Sequence, residues 1–251
     1  MKMTAKDIAG LVRTLSKTGD KPRFTSAIIA AAGSGTRMHD ADGRTKQLIE
    51  LCGLPVIVRT LLSFQECGVI DEIIVAAKPD EIDIYGEFAE KYKITKLASV
   101  VAGGETRQES VLRGFEKISD KSEFVAIHDG ARCLVGTDAI DTVVRAAYVC
   151  GAATAACKVS DTVKKCDFNG YIDKTIDRDS LWLAQTPQVF KTDLYRAAAY
   201  VAHEEDFKAT DDNLLAEHIG FPVKLVDCGC DNIKITTPAD LAVAEVILRR
   251  R

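Results

Sequence analysis

Short apolar runs alternate with longer stretches in which apolar residues recur every three or four positions, from Ser26 almost to the C-terminus. The short runs have the character of strands buried on both faces, and the periodic stretches that of helices laid against them. Strands are predicted over 26–32, 71–77, 97–101, 123–128, 152–158 and 222–227. Helices are predicted over 55–67, 81–92, 106–118, 137–150, 191–202, 210–219 and 237–249. Such alternation builds an α/β fold with a mostly parallel, twisted, Rossmann-like sheet, and such sheets bind ligands beyond the carboxyl ends of their strands. Polar residues gather at those ends: Gly33 after the first strand, Gly103 and Gly104 after the third, His128 and Asp129 after the fourth.

One segment breaks the rhythm. From Ser160 to Trp182 the chain reads SDTVKKCDFNGYIDKTIDRDSLW, with Asn169-Gly170 between short alternating runs. Asn-Gly tolerates the positive φ of a tight hairpin turn, so a β-arm over about 160–182 is expected to project from the sheet. A two-stranded hairpin is marginal alone in water. A second copy of the chain, giving a homodimer, is the expected support.

At 251 residues and 47% apolar, the chain can bury a sizeable core, and we expect one domain over 26–251. Residues 1–25 form a polar leader, a short helix or a tail, with one amphipathic patch at Ile8–Val12. A net charge of −4 argues against nucleic acid or an anionic membrane as the main partner. No apolar stretch approaches the roughly 20 residues of a bilayer span. The eight cysteines show no C-x-x-C spacing, and we expect reduced, mostly buried thiols in a cytoplasmic protein.

The chemistry starts at residues 26–38, SAIIAAAGSGTRM, followed by Lys46. A buried strand that stops at Gly33-Ser34-Gly35 can bring main-chain N–H groups up to an anion, and Arg37 and Lys46 add the positive charge a triphosphate needs. Neither the dinucleotide fingerprint nor the Walker pattern is met. In Gly103-Gly104-Glu105-Thr106-Arg107-Gln108-Glu109-Ser110, Thr106 suits a helix N-cap with Glu109 completing a capping box. Close main-chain approach at Gly104 and the Ser110 hydroxyl could also read the edge of a pyrimidine. Asp129 could cap a helix, pair with Arg132 or, beside a triphosphate loop, hold Mg²⁺.

The loop AAAGSGTRM closely resembles that of the cytidylyltransferases that make CDP-methylerythritol in isoprenoid precursor synthesis. The resemblance extends over about residues 26 to 249, through His128-Asp129-Gly130-Ala131-Arg132, Thr186-Pro187-Gln188, Thr210-Asp211-Asp212 and Asp231-Asn232-Ile233-Lys234-Ile235-Thr236. It departs from the family pattern at Thr45, Gly130 and Cys133. The resemblance implies transfer of a cytidylyl group from CTP to a polyol phosphate, 2-C-methyl-D-erythritol 4-phosphate. It implies Arg37, Lys46 and Lys234 as catalytic cations, and Ala31, Ala32, Gly33, Gly35, Gly104, Ser110 and Asp129 around the nucleotide. Arg132, Thr186, Thr210 and Lys234 would hold the acceptor, joined by Thr162 and Arg178 from a neighbouring subunit's arm, with Mg²⁺ between Asp129 and Asp231. Two other readings stand beside it: a sister enzyme acting on ribitol 5-phosphate, and a non-catalytic nucleotide-binding relative.

Overall fold

The computed structural model describes residues 23–33 and 45–251. The expected roles of Gly35 and Arg37, and the leader up to Pro22, lie outside the described residues. In chain order the elements are β1 (Thr25–Ala30), β2 (Glu50–Leu51), β3 (Leu54–Pro55), α1 (Val56–Glu66), β4 (Glu72–Ala77), α2 (Ile82–Tyr92), β5 (Leu97–Ala102), α3 (Arg107–Phe115) and β6 (Phe124–Asp129). They continue as α4 (Thr137–Cys150), β7 (Ala152–Lys158), β8 (Lys164–Cys166), β9 (Ile172–Thr175), β10 (Trp182–Lys191), α5 (Thr192–Glu204), α6 (Asp212–His218), β11 (Lys224–Asp227) and α7 (Pro238–Arg250).

Seven strands form one sheet in the order β11-β7-β10-β6-β1-β4-β5. β1 lies parallel between β6 and β4, in a register that sets Ala30 beside both Asp129 and Ala76. The sheet is mixed, because β10 runs antiparallel between β6 and β7. No strand was expected there: Thr186-Pro187 reads as a turn, and proline cannot donate to a ladder. The strand accommodates it at a register shift between Ala184 and Gln188.

Side chains alternate across the pleat and so feed two cores. Ala27 and Ile29 of β1 pack with Ile73 and Val75 under α1, α2 and α4, against Ile57, Leu61, Phe64, Tyr85, Val143 and Val144. Ile28 points the other way, joining Val125, Ile127 and Phe190 beneath Val111, Phe115, Leu194, Tyr195 and Leu215 of α3, α5 and α6. Each such fully buried aliphatic contributes about 1.5–3 kcal/mol relative to exposure. A smaller cluster seats the C-terminal helix through Leu51, Val56, Leu134, Ile235, Ala244 and Ile247. Ile235 N–H donates to the Ala131 carbonyl at 2.9 Å, which ties the chain beside Lys234 to the end of β6.

The arm forms as expected. β8 and β9 pair antiparallel around Gly170, whose φ is +85°. Among the described residues its apolar side chains have nothing to pack on: Phe168, Tyr171 and Ile172 are 97%, 75% and 65% exposed. Every cysteine is free, but Cys52, Cys150, Cys166 and Cys230 are exposed, which corrects the expectation of mostly buried thiols. Among the described residues, no helix is long and apolar enough to cross a membrane.

Candidate active site

Two adjoining clefts open at the carboxyl ends of β1, β5 and β6. The first, about 460 Å³, is lined by Ala32, Gly33, Lys46, Gln47, Gly104, Ser110, Asp129 and Lys234, with Arg107 on one wall. The second, about 190 Å³, is lined by Arg132, Gln185, Thr186, Gln188, Thr210 and Asp211, again with Arg107, Asp129 and Lys234. Those three residues therefore form a wall common to both.

Asp129 organises that wall. Arg107 Nε donates to its Oδ1 at 3.0 Å, while Lys234 Nζ lies 2.9 Å and Arg132 Nε 3.5 Å from its Oδ2. Burial alone would raise the Asp129 pKa, but Arg107 and Lys234, followed by Arg132, hold it well below the ordinary carboxylate range. Arg107 reaches across to a second carboxylate, its Nη1 donating to Asp212 Oδ2 at 2.6 Å. Burial would lower Arg107, and Asp212 and Asp129 more than reverse this. Its Nη2 is buried with no hydrogen-bond partner among the described residues. Three cations thus meet two carboxylates at the wall, and Lys46, Glu105 and Asp211 add further charges of both signs to the cleft linings.

Arg107 was not expected as a site residue, and Asp212 was named only within the Thr210-Asp211-Asp212 run of the resemblance. Both lie in runs read as helix caps, and the caps are real: Thr106 Oγ1 accepts from Glu109 N–H at 3.1 Å, and Asp211 Oδ1 from Leu214 N–H at 3.0 Å. The Glu109 carboxylate closes its turn on Glu105 N–H at 2.9 Å rather than on the cap residue. Capping fixes the start of α3, and so aims Arg107, the first helical residue, into the cleft.

The glycine loop after β5 is held from within. Gly104 N–H donates to Ser110 Oγ at 3.0 Å, and Ser110 Oγ donates to the Thr106 carbonyl at 2.8 Å. The Ser110 hydroxyl thus shapes the loop beside the cleft. Close packing falls on both glycines: a Cβ at Gly104 would collide with the Glu109 side chain, and one at Gly103 with Ala32 Cβ, beyond the strand end that leads to the phosphate loop.

Behind the wall, Asp129 N–H donates to Thr186 Oγ1 at 3.1 Å, and Thr186 Oγ1 pairs with His128 Nδ1 at 2.9 Å. His128 Nε2 lies 3.2 Å from the Arg132 carbonyl, which can only accept, so the proton sits on Nε2 and Thr186 donates to Nδ1. Thr186 therefore braces the wall with the same hydroxyl that was expected to meet the acceptor. Burial pushes the His128 pKa down to about 3, against a smaller opposing pull from Asp129. A histidine kept neutral in the fold and free to protonate when unfolded gives stability that is complete above about pH 6.5 and lost as pH falls toward 3. The melting temperature should fall across that window, and more shallowly in His128→Leu. An unchanged slope in the variant would assign the acid lability to other groups.

Three expected site residues stand apart. Thr162 and Arg178 are exposed on the arm and line neither cleft of their own chain, and Arg178 Nη1 donates to the Ser160 carbonyl at 2.7 Å. Asp231 pairs with Arg250 at 2.7 Å and does not join Asp129. Of the two carboxylates expected to hold a divalent ion, Asp129 alone lines the clefts, and one carboxylate fits Mg²⁺ only where substrate phosphates supply further ligands. Among the described residues, no three His, Cys, Asp or Glu side chains cluster to hold a metal.

Comparison with known proteins matches residues 25–250 to the family model of 2-C-methyl-D-erythritol 4-phosphate cytidylyltransferase. Curated relatives of that name include one from Syntrophus aciditrophicus, 42% identical over 92% of this chain and 97% of its own. Another, from Caldanaerobacter subterraneus, is 44% identical over 90% of this chain and 99% of its own. Among solved structures, a 4-diphosphocytidyl-2C-methyl-D-erythritol synthase from Anaerococcus prevotii superposes with a TM-score of 0.81 at 35% identity, covering 91% of this chain and 97% of that one. The 2-C-methyl-D-erythritol 4-phosphate cytidylyltransferase of Thermus thermophilus gives 0.74 at 32% identity, covering 90% and 99%.

Proposed function

The chain belongs to the 2-C-methyl-D-erythritol 4-phosphate cytidylyltransferase family, and from that premise we propose how its two clefts divide the reaction. The enzyme transfers the cytidylyl group of CTP to 2-C-methyl-D-erythritol 4-phosphate and releases pyrophosphate, in the non-mevalonate route to isoprenoid precursors. CTP occupies the larger cleft, with its base at the Gly103–Ser110 loop and its triphosphate along Gly33 and Lys46, joined by Arg37. The acceptor occupies the smaller cleft, its phosphate against Arg132 and Lys234 and its polyol toward Thr210. The observation that supports this reading is the shared wall, because Arg107 and Lys234 line both clefts and the acceptor phosphate and the α-phosphate would there meet the same cations.

A phosphate oxygen of the acceptor attacks the α-phosphorus in line, and the bond to pyrophosphate breaks. That oxygen is already ionised at neutral pH, so no general base is required. Catalysis is then positioning and neutralisation of charge between two anions. Lys234 and Arg132 reduce repulsion at the attacking phosphate, and Lys46 and Arg37 stabilise the charge that builds on the leaving pyrophosphate. Arg107 positions Asp129, and its Nη2, without a hydrogen-bond partner among the described residues, is a donor that a bound anion would satisfy. Mg²⁺ would be held by Asp129 with the CTP phosphates, where it would neutralise phosphate charge. Asp231 would reach the same ion only after leaving Arg250.

The site is completed by a partner in a homodimer. The bare apolar residues of the arm, and the distance of Thr162 and Arg178 from their own chain's clefts, support an arm laid against a neighbouring subunit. Free thiols throughout accord with a cytoplasmic setting.

An acceptor screen tests the assignment. With CTP and equal concentrations of acceptor, pyrophosphate release should be fastest with methylerythritol phosphate. Faster release with ribitol 5-phosphate would overturn the choice of acceptor, and no release with either would favour a binding protein on the same scaffold.

A further inference from the structure

Arg107 has two carboxylates within reach and forks onto neither. Its Nε donates to Asp129 Oδ1 at 3.0 Å and its Nη1 to Asp212 Oδ2 at 2.6 Å, one bond to each. Arginine and a carboxylate commonly meet through two parallel bonds, so a single bond to each of two partners has a cause. For Asp129 the cause lies on the wall itself, since Lys234 and Arg132 share its Oδ2. For Asp212 it lies in the core: Tyr195 Oη donates to Asp212 Oδ1 at 3.0 Å.

The tyrosine is well fixed for this task. Its ring, on α5, is buried against Phe115 and Phe190, with centroids 4.9 and 5.7 Å away. Burial, with Asp212 beside it, holds its pKa well above the ordinary tyrosine value, so the hydroxyl stays a donor. Asp212 is buried too, and its main chain is tied to β10: Gln188 Oε1 accepts from Asp212 N–H at 2.8 Å and from Asn213 N–H at 3.2 Å. The direction of the Asp212 carboxylate is then set by its side-chain partners. Arg107 has less packing to hold it. It lines both clefts and also a cavity of about 410 Å³ between α3 and α5, with Leu112, Tyr195, Ala199 and Phe207.

We propose that Tyr195 is a positioning residue for cytidylyl transfer: by occupying Asp212 Oδ1 it stops Arg107 from closing a two-bond fork on Asp212, and so keeps Arg107 Nε on Asp129 at the shared wall. The effect on the reaction rests on the substrate placement proposed above. Without the hydroxyl, Asp212 Oδ1 is a buried acceptor that has lost its donor. Arg107 Nη2, buried and without a hydrogen-bond partner among the described residues, is a donor on the guanidinium already bonded to the other oxygen. A fork through Nη1 and Nη2 draws that guanidinium toward Asp212 and off Asp129. Asp129 then turns away from the position in which it serves the reacting phosphates.

The test is Tyr195→Phe in the full-length enzyme, which removes one oxygen and keeps the ring contacts. Circular dichroism should show the native fold. The kcat with CTP and methylerythritol phosphate should fall about ten-fold, the worth of roughly one hydrogen bond, with both KM values within about two-fold of wild type. Tyr200→Phe, on the exposed side of the same helix, should match wild type. A crystal structure of Tyr195→Phe should place both Asp212 oxygens within about 3.2 Å of Arg107, with Nε more than about 3.5 Å from Asp129. Wild-type kinetics with only a lowered melting temperature would make Tyr195 a packing residue and overturn the proposal. An unchanged bond between Arg107 and Asp129 would overturn it as well, whatever the rate. The fork is read without turnover, so its failure is distinguishable from failure of the wild-type enzyme to transfer a cytidylyl group.

Discussion

Asp129→Asn should reduce kcat/KM by about 10³-fold in a protein that still folds, at the upper end of what loss of one preorganised electrostatic group costs. The substitution keeps the shape of the side chain and removes the charge on which Arg107, Arg132 and Lys234 converge. Leaving those cations partly uncompensated should also cost about 3 kcal/mol of stability. Activity must therefore be measured well below the melting temperature, with circular dichroism confirming the native state. Asp231→Asn is the control: its carboxylate serves Arg250, so its kcat/KM should change by less than about five-fold. Chelation by EDTA should abolish wild-type activity and Mg²⁺ should restore it, whereas added Mg²⁺ should not rescue Asp129→Asn. The depressed pKa keeps Asp129 ionised at every pH above about 4, so the wild-type pH–rate profile should show no inflection from it there. A folded Asp129→Asn enzyme within ten-fold of wild type would reduce Asp129 to a strut, as would full activity of the native enzyme in chelator for its metal role.

The sequence made legible what depends on local pattern. The helices lie where periodicity put them, and the six expected strands lie within a few residues of their runs. β10 escaped because its centre carries Thr186-Pro187, a pair whose local preference is a turn. Only the tertiary frame, with β6 on one side and β7 on the other, makes it a strand.

The same division runs through the site. Gly33, Lys46 and Asp129 could be found because each stands in a short motif whose chemistry reads locally, whereas Ala32 and Lys234 were found through the resemblance to the family pattern. Arg107 could not, since its partners Asp129 and Asp212 are 22 and 105 residues away and its own run reads equally well as a capped helix. Asp231 and Lys234 show the limit within a single motif. Three residues apart, they part company because Lys234 is held at the end of β6 by the Ile235–Ala131 hydrogen bond, while Asp231 meets Arg250 on α7. No spacing rule carries that information.

Mixing two inactive variants, Arg178→Ala and Lys234→Ala, should restore activity to about a quarter of the wild-type rate if the site is shared between subunits of a two-fold dimer. The arm motivates the test. Its two short strands cannot be stable by themselves, they expose Phe168, Tyr171 and Ile172, and they carry Thr162 and Arg178 away from the clefts of their own chain. If the arm reaches a neighbour's acceptor cleft, each site needs Lys234 from one chain and Arg178 from the other. Equal amounts exchanged at random give half mixed dimers, and each mixed dimer holds one intact site of two. Neither variant should recover when exchanged only with itself. Verified exchange with no recovery, or a monomer at assay concentration, would mean that each chain builds its own site and that the arm's apolar residues serve some other contact.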